Sequence, residues 1–121
     1  MANETCKKQR TVFYLSDRTG ITVETLGHSL LTQFDGIQWN KINIPFLDNP
    51  TRAQQVAAQI NAAAIKNGCR PIVFSTLVKP EVREIIGQAN CIIYDFFERF
   101  IDSMEQELGQ ASSHAVGRSH G

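Results

Sequence analysis

The 121-residue sequence predicts an α/β fold, in which a mostly parallel four-stranded sheet carries helices on both faces. Four short apolar runs are each followed by a segment whose apolar residues recur at helical spacing, and such alternation is typical of parallel sheets. The third run, 71–74, is apolar throughout, as expected for a strand covered on both faces. Hydrophobic residues make up 42% of the chain, which is enough for the core of one domain.

The first strand–helix unit is predicted from a short apolar run at residues 12–15 and from the helical spacing of residues 19–34. Asp35 and Gly36 should end this helix, because glycine readily adopts the left-handed conformation of a helix cap. Five apolar residues fall on one face of the helix: Val23, Leu26, Leu30, Leu31 and Phe34.

The second and third units follow the same pattern. Residues 37–46 read as a strand, after which Asn49 should cap a helix that has Pro50 in its first turn. Residues 71–74 form the third strand, and Pro80 should open the helix after it. The second helix is expected to bury a stripe of apolar residues: Ala53, Val56, Ala57, Ile60 and Ala64.

The fourth unit begins with a strand at residues 91–94. Asp95 and Glu98 should then form an acidic variant of the capping box, in which the side chain of each residue accepts a hydrogen bond from the backbone N–H of the other. Helical spacing continues up to Gly109 through a series of apolar residues: Phe97, Phe100, Ile101, Met104 and Leu108.

One domain is predicted at residues 11–109, between a flexible N-terminus of residues 1–10 and a tail, 110–121, that is flexible or begins a linker. Twelve basic and twelve acidic side chains cancel, so no net charge favours nucleic acid or an anionic membrane. No apolar run suits a signal sequence or a membrane span, and we expect a cytoplasmic protein. The cysteines are odd in number and lack C-x-x-C spacing, so we expect reduced thiols, without a disulfide or a zinc site, at Cys6, Cys69 and Cys91.

Polar connectors follow all four predicted strands. In open α/β sheets, ligands bind beyond the carboxyl ends of the strands, where helix N-termini offer free N–H groups and a partial positive charge. Basic side chains in or beside these connectors could strengthen a phosphate or carboxylate site. The candidate residues for binding an anion or lining a cleft are Ser16, Asp17, Arg18, Thr19, Gly20, Arg52, Ser75, Thr76 and Lys79.

A plainer interpretation of these residues stays open, since helix caps prefer the same serine, threonine and aspartate side chains. Arg52 and Lys79 would then be solvated surface charges. His28 lies beside the apolar stripe of the first helix and is interpreted as a core-edge or surface histidine rather than a catalytic one. The chain contains no G-x-x-x-x-G-K-[ST] and no G-x-G-x-x-G after the first strand, so it has no P-loop, and no catalytic or metal-binding set can be assigned.

Three stretches carry a family resemblance: VFYLSDRTGITVETLGHSLLTQF, INIPFLDNPTRAQQV and RPIVFSTLVKPEVREII. Together they resemble the phosphoenolpyruvate synthase regulatory proteins, a family that also contains the pyruvate, phosphate dikinase regulatory proteins of bacteria and plants. The likeness covers about residues 11–108. Its combination of a strand, an S-D-x-T-G turn and a helix, followed later by the strand R-P-I-V-F, is specific.

The resemblance implies a bifunctional transferase. Such a protein is a serine/threonine kinase that uses ADP to phosphorylate and inactivate its target, and a phosphorylase that removes the modification with inorganic phosphate and releases pyrophosphate. The implied partner is phosphoenolpyruvate synthase, or otherwise pyruvate, phosphate dikinase, and the regulator could be a homo-oligomer. The S-D-x-T-G turn would lie close to the catalytic edge, at Ser16, Asp17, Thr19 and Gly20.

Two departures from the family pattern matter. The family's P-loop lies in a second half that this sequence lacks, so the resemblance implies an N-terminal part that is inactive alone and binds neither ADP nor phosphate tightly. Arg18 stands where the family usually has a small residue, and an arginine could either clamp a phosphate or fill space meant for substrate. Two other functions stay open, a stand-alone anion-binding domain and a receiver-like signalling module, although a receiver needs an aspartate where this chain has Ser75 and Thr76.

Overall fold

The protein forms a parallel sheet with the strand order β2-β1-β3-β4. The computed structural model describes Cys6 and residues 8–113. Within this part, the strands are β1 (Gln9–Leu15), β2 (Gln38–Ile44), β3 (Ile72–Ser75) and β4 (Ile92–Asp95). Every strand pair is parallel, so the predicted α/β class is confirmed.

Helices connect and follow these strands: α1 (Ile21–Leu31), α2 (Pro50–Asn67), α3 (Pro80–Gly87) and α4 (Phe96–Leu108). The predicted start of α2 is confirmed, because the Asn49 side chain accepts a hydrogen bond from the Arg52 backbone N–H at 2.8 Å and Pro50 is the first helical residue. Pro80 opens α3, also as predicted. These local rules hold because capping chemistry acts over only a few residues.

The sheet buries a different set of side chains on each face. On one face, Phe13 and Leu15 of β1 pack with Val73 of β3 against α2 and α3. On the other face, Val12 and Tyr14 of β1 pack with Phe74, Val23 and Leu31. Alternate residues of β1 therefore serve opposite layers, as the two-residue repeat of a strand requires.

Gly27 of α1 allows this second layer to pack closely. A Cβ atom at Gly27 would lie 2.5 Å from Tyr14 Cε1 and 2.8 Å from Phe74 Cδ2, which is too close for any side chain. Burial raises the pKa of the Tyr14 hydroxyl, and the Glu24 carboxylate raises it further. The tyrosine ring is thus a neutral part of the core beneath α1.

Several predicted boundaries of strands and helices are wrong. β1 begins at Gln9, so Gln9 and Arg10 belong to the sheet. Residues 1–5 and 7 of the predicted flexible N-terminus and residues 114–121 of the predicted tail lie outside the described residues. The first helix begins at Ile21, because Gly20 has a left-handed φ of 86° that a right-handed helix does not contain. The helix ends at Leu31. Gly36 lies in a later turn and does not cap the helix.

The apolar stripes of the two outer-layer helices are only partly covered. In α1, Val23 and Leu31 are buried, but three other members of the predicted face are exposed: Leu26, Leu30 and Phe34. In α4 no residue is buried. By contrast, the predicted stripe of α2 is buried at Ala53, Val56, Ile60 and Ala64.

The expectation of three reduced cysteines is wrong for two of them. Cys6 and Cys69 form a disulfide, with their Cα atoms 6.0 Å apart. Cys6 precedes β1 and Cys69 precedes β3, and these strands are neighbours, so the topology places both cysteines at the amino edge of the sheet. Cys91 is a free thiol, and burial raises its pKa to about 11 against a smaller lowering effect of the Arg70 charge.

Membrane-spanning helices and metal-binding clusters are absent from the described residues. No helix there has the length and apolar character needed to cross a membrane. Within Cys6 and residues 8–113, no group of three or more histidine, cysteine, aspartate or glutamate side chains is placed to hold a metal ion.

Candidate functional site

The carboxyl ends of the strands meet at one edge, because the sheet is parallel throughout. β1 leads to α1 on one face, whereas β3 leads to α3 on the other, so the chain changes direction between these neighbouring strands. Open α/β sheets bind ligands at such a switch point. We call this edge the carboxyl rim, formed by the connectors 16–20, 45–49 and 76–79.

Backbone hydrogen bonds join the first connector to the second. The Ser16 N–H donates to the Ile44 carbonyl at 3.2 Å, and the Leu47 N–H donates to the Ser16 carbonyl at 2.8 Å. The Phe46 N–H donates to the Arg18 carbonyl, also at 2.8 Å. The S-D-x-T-G turn is therefore fixed against the segment that leads into α2.

Two further bonds bring in the third connector. The Thr76 N–H donates to the Leu15 carbonyl at 3.1 Å, directly across the switch point. The Lys79 ammonium donates to the Asp48 carbonyl at 2.8 Å, which links the third connector to the second. The structure thus places the candidate residues of all three connectors along one rim.

Three candidate hydroxyls of the rim are almost fully buried, with relative exposures of 3% for Ser16, 3% for Ser75 and 1% for Thr76. Ser16 Oγ accepts from the Arg18 N–H at 3.0 Å, and Ser75 Oγ accepts from the Leu77 N–H at 3.1 Å. Both serines therefore stabilise tight turns. The N-cap of α1 is Gly20, which makes no side-chain hydrogen bond, so the capping interpretation is not supported for this helix.

Asp17 is the carboxylate at the switch point. Its Oδ1 atom is buried and makes no hydrogen bond to any residue in the described part of the chain. A buried carboxylate oxygen without a donor costs free energy, because water that would solvate it has been removed. The Asp17 carboxylate therefore has an oxygen that can accept a hydrogen bond from a ligand.

Three cationic side chains belong to the rim or to the first turn of α2. Lys79 bonds the Asp48 carbonyl, and Arg52 Nη2 donates to the Pro45 carbonyl at 3.4 Å. Arg18 is exposed. None of the three forms an ion pair with another residue of the described chain, so their positive charges are not neutralised there and could attract an anion.

The fourth connector is occupied by structural contacts. Asp95 Oδ1 accepts from the N–H groups of Phe97 at 3.0 Å and Glu98 at 2.9 Å, so its predicted capping role is confirmed. Its Oδ2 pairs with Arg83 at 3.2 Å. Glu98 also pairs with Arg83, at 2.6 Å, which departs from the reciprocal bond of a capping box.

A cavity of about 630 Å³ lies next to this ion-pair cluster, between α3 and α4. Ser75 lines it at the end of β3, and Tyr94 lines it at the end of β4. The carboxyl rim therefore continues into an open depression on the β4 side of the switch point.

Comparison with known proteins identifies the chain's relatives. A sequence model of a family described as kinase/pyrophosphorylase matches residues 12–121. The chain belongs to this family. The family resemblance predicted from the sequence is thereby confirmed.

Curated relatives in the family carry the name "Putative phosphoenolpyruvate synthase regulatory protein". The protein from Alkalilimnicola ehrlichii is 52% identical over 113 residues, which are 93% of this chain and 41% of the relative. That from Aromatoleum aromaticum is 51% identical over 112 residues, with 93% and 40% covered. That from Legionella pneumophila is 50% identical over 113 residues, with 93% and 42% covered. The chain thus spans about two fifths of the length of these relatives.

One rim residue was not a candidate on sequence grounds. Phe46 has a φ of 55°, in the left-handed region that bulky residues rarely adopt, and its side chain is 60% exposed. Strained, exposed residues are concentrated at functional sites. Nothing in the sequence indicates this conformation, because phenylalanine has no local preference for it.

His28 and Ser75 bear on two interpretations of the sequence, a surface histidine and a receiver-like module. His28 is exposed and its Nδ1 lies 3.0 Å from Lys41 Nζ, which agrees with the surface interpretation. Ser75 ends β3 and its hydroxyl is engaged by the Leu77 N–H, so the position where a receiver needs an aspartate carries no carboxylate.

Proposed function

We propose that this chain takes part in the regulation of phosphoenolpyruvate synthase by reversible phosphorylation of a threonine. The observation that carries the proposal is an identity of about half to relatives named as regulators of that enzyme, along 93% of the chain. The kinase/pyrophosphorylase description of the family fits both directions of such a reaction.

The chemistry is a pair of phosphoryl transfers. In the forward direction the target threonine oxygen attacks the β-phosphorus of ADP, loses its proton, and AMP leaves. In the reverse direction an oxygen of inorganic phosphate attacks the phosphothreonine phosphorus, the threonine oxygen leaves and takes a proton, and pyrophosphate forms. Both steps depend on positioning and on neutralising charge at the transferred group.

The carboxyl rim suits the target side of this reaction. Arg18, Arg52 and Lys79 supply positive charge that no carboxylate of the described chain neutralises, and this charge favours a phosphorylated segment. Asp17 Oδ1 offers an acceptor for a hydroxyl donor. Because the sequence has no P-loop, we assign the chain to recognition of the synthase rather than to tight binding of ADP or phosphate, and expect no transfer by the chain alone.

A binding titration tests the proposal. The chain is titrated into phosphoenolpyruvate synthase, in its unmodified and threonine-phosphorylated forms, by isothermal calorimetry. We expect saturable binding that Arg52→Gln and Lys79→Gln each weaken by about threefold to tenfold, the usual worth of a partly solvated charge contact. Lys66→Gln is the matched control, since Lys66 is an exposed lysine in the last turn of α2, and it should bind like the parent chain.

The titration also separates the alternatives. Absence of binding to either form of the synthase contradicts the proposal. Binding of free inorganic phosphate at the rim without binding of the synthase favours the stand-alone anion-binding domain instead. Equal weakening by Lys66→Gln and by the rim substitutions contradicts the assignment of the rim.

A further inference from the structure

Asp17 is a carboxylate that the fold holds at the switch point without using its charge. Its Oδ1 atom is buried and has no hydrogen-bond donor in the described part of the chain. No ion pair among the described residues includes it. A buried carboxylate oxygen without a donor lowers the stability of a fold, and such a local cost is typical of a functional site.

The backbone on both sides of Asp17 is fixed by hydrogen bonds. The Ser16 carbonyl accepts from the Leu47 N–H at 2.8 Å. The Arg18 carbonyl accepts from the Phe46 N–H, also at 2.8 Å. The Arg18 N–H in turn donates to Ser16 Oγ at 3.0 Å, so the turn is closed around Asp17. Moving Asp17 away from a ligand would break these bonds, and its carboxylate is therefore a fixed negative charge of the rim.

Positive charge is attached to the same part of the rim. Arg52 Nη2 donates to the Pro45 carbonyl at 3.4 Å, and Lys79 Nζ donates to the Asp48 carbonyl at 2.8 Å. Neither cation forms an ion pair with Asp17. Asp17 as a whole is only half-buried, so a ligand at the switch point can reach its carboxylate. One negative and two positive groups thus remain separate, and they respond in opposite directions to the charge of a ligand.

We propose that Asp17 is the residue by which the rim distinguishes unmodified threonine from phosphothreonine in phosphoenolpyruvate synthase, an inference that rests on the function proposed above. An unmodified threonine has a hydroxyl proton, which the carboxylate accepts in a charge-assisted hydrogen bond. A phosphothreonine has lost this proton and carries a charge of about −1.5 to −2 at pH 7, which the carboxylate repels. Asp17 therefore favours the unmodified form, whereas Arg52 and Lys79 favour the phosphorylated form.

This opposition suits a protein that acts on both forms of its target. The forward transfer requires bound threonine, and the reverse transfer requires bound phosphothreonine. A rim that carried cations alone would bind the phosphorylated form far more tightly than the unmodified one. Because specificity is a difference between two affinities, the repulsion by Asp17 brings the affinities for the two forms closer together.

Calorimetric titration of Asp17→Asn into both forms of the synthase tests the proposal. Asparagine has nearly the same shape but no charge. The unmodified form should bind about threefold to tenfold more weakly, and the phosphorylated form about threefold to tenfold more tightly. Asp35→Asn is the matched control, since Asp35 is exposed in the turn between α1 and β2, at the amino edge of the sheet, and both affinities should stay unchanged. A variant that only disturbed the fold would bind both forms more weakly.

Inorganic phosphate gives a readout that does not need the synthase. Asp17→Asn should lower the dissociation constant of phosphate by about threefold, because a like charge leaves the rim, and Arg52→Gln should raise it. Urea unfolding of Asp17→Asn should have a midpoint no lower than that of the parent chain, because a buried charge is removed. A lower midpoint would show that the carboxylate holds the turn together, and would overturn its assignment to binding.

The outcomes separate this inference from the function on which it rests. If the parent chain binds neither form of the synthase, the proposed function fails and the inference fails with it. If the parent chain binds the synthase, but Asp17→Asn changes both affinities in the same direction, changes neither, or leaves phosphate binding unaltered, the inference alone is overturned. Opposite changes for the two forms, absent in Asp35→Asn, support it.

Discussion

Lys79 and Asp48 join two connectors of the carboxyl rim, since the Lys79 ammonium donates to the Asp48 carbonyl at 2.8 Å. The bond uses a neutral backbone oxygen, so the lysine is oriented while its charge stays available. Together with the bonds of Phe46 to Arg18 and of Thr76 to Leu15, it makes the connectors after β1, β2 and β3 one unit. A ligand at the switch point would contact all three.

Gly27 should tolerate no side chain. Gly27→Ala places a Cβ atom 2.5 Å from Tyr14 Cε1, so the aromatic layer must shift, and we expect a loss of about 1–3 kcal/mol in the free energy of unfolding by urea. Gly87→Ala in α3 is the control, because nothing lies within 4 Å of its added Cβ atom. That variant should be neutral or more stable by up to about 1 kcal/mol. Equal stabilities for the two variants contradict the packing described for α1.

Phe46 should be replaceable with a gain in stability. Asparagine adopts positive φ more readily than other side chains, so Phe46→Asn should raise the free energy of unfolding by about 0.5–1 kcal/mol. Phe46→Leu keeps the backbone strain and should match the parent chain. If Phe46 contacts the synthase, Phe46→Asn also weakens binding in the titration above. A less stable Phe46→Asn variant would show that the side chain holds the rim together.

The Cys6–Cys69 disulfide should stabilise the fold. It closes a loop with a sequence separation of 63 residues, and such bridges typically contribute about 2–4 kcal/mol by restricting the unfolded chain. Urea unfolding of the oxidised chain is compared with that of the chain kept reduced by dithiothreitol. Cys6→Ser should behave like the reduced chain under both conditions. An oxidised chain no more stable than Cys6→Ser contradicts the prediction.

Cys91 should be a slow nucleophile. Its pKa of about 11, against an ordinary value of 9.0, implies about a hundredfold less thiolate at pH 8, so iodoacetamide should alkylate it far more slowly in the folded than in the urea-unfolded chain.

The raised pKa of Cys91 also affects the stability of the fold. Between pH 9 and pH 11 the folded chain holds the proton that the unfolded chain loses, so this contribution to stability falls as pH rises. Mass spectrometry and urea unfolding at pH 8 and pH 10.5 measure the two effects.

The sequence predicted the features that depend on neighbours along the chain. The parallel sheet follows from the alternation of strand and helix patterns, and the start of α2 follows from Asn49 and Pro50. The first helix was predicted to begin at about residue 19, but Gly20 has a positive φ and is the last residue before the helix. The sequence pattern does not show this backbone conformation. Local sequence patterns therefore predict which helices and strands form better than they predict the residues at which each one begins and ends.

Other features depend on which strands become neighbours. The Cys6–Cys69 disulfide requires β1 to lie beside β3, which an odd number of cysteines without spacing motifs does not indicate. The exposure of Phe100 and Met104 requires knowing what covers α4, and helical spacing predicts only which residues share a face. The unpartnered oxygen of Asp17 also emerges only when the connectors are assembled.

Phosphate should bind at the rim that the three connectors form. The most direct measurement is a titration of the ¹⁵N-labelled chain with inorganic phosphate, followed by amide chemical shifts. We expect weak binding in fast exchange, with the largest shifts at residues 16–20 and 75–79 and a reduced response in Arg52→Gln. Shifts confined to the amino edge of the sheet, near Arg10 and Arg70, or no shifts at all, would contradict it.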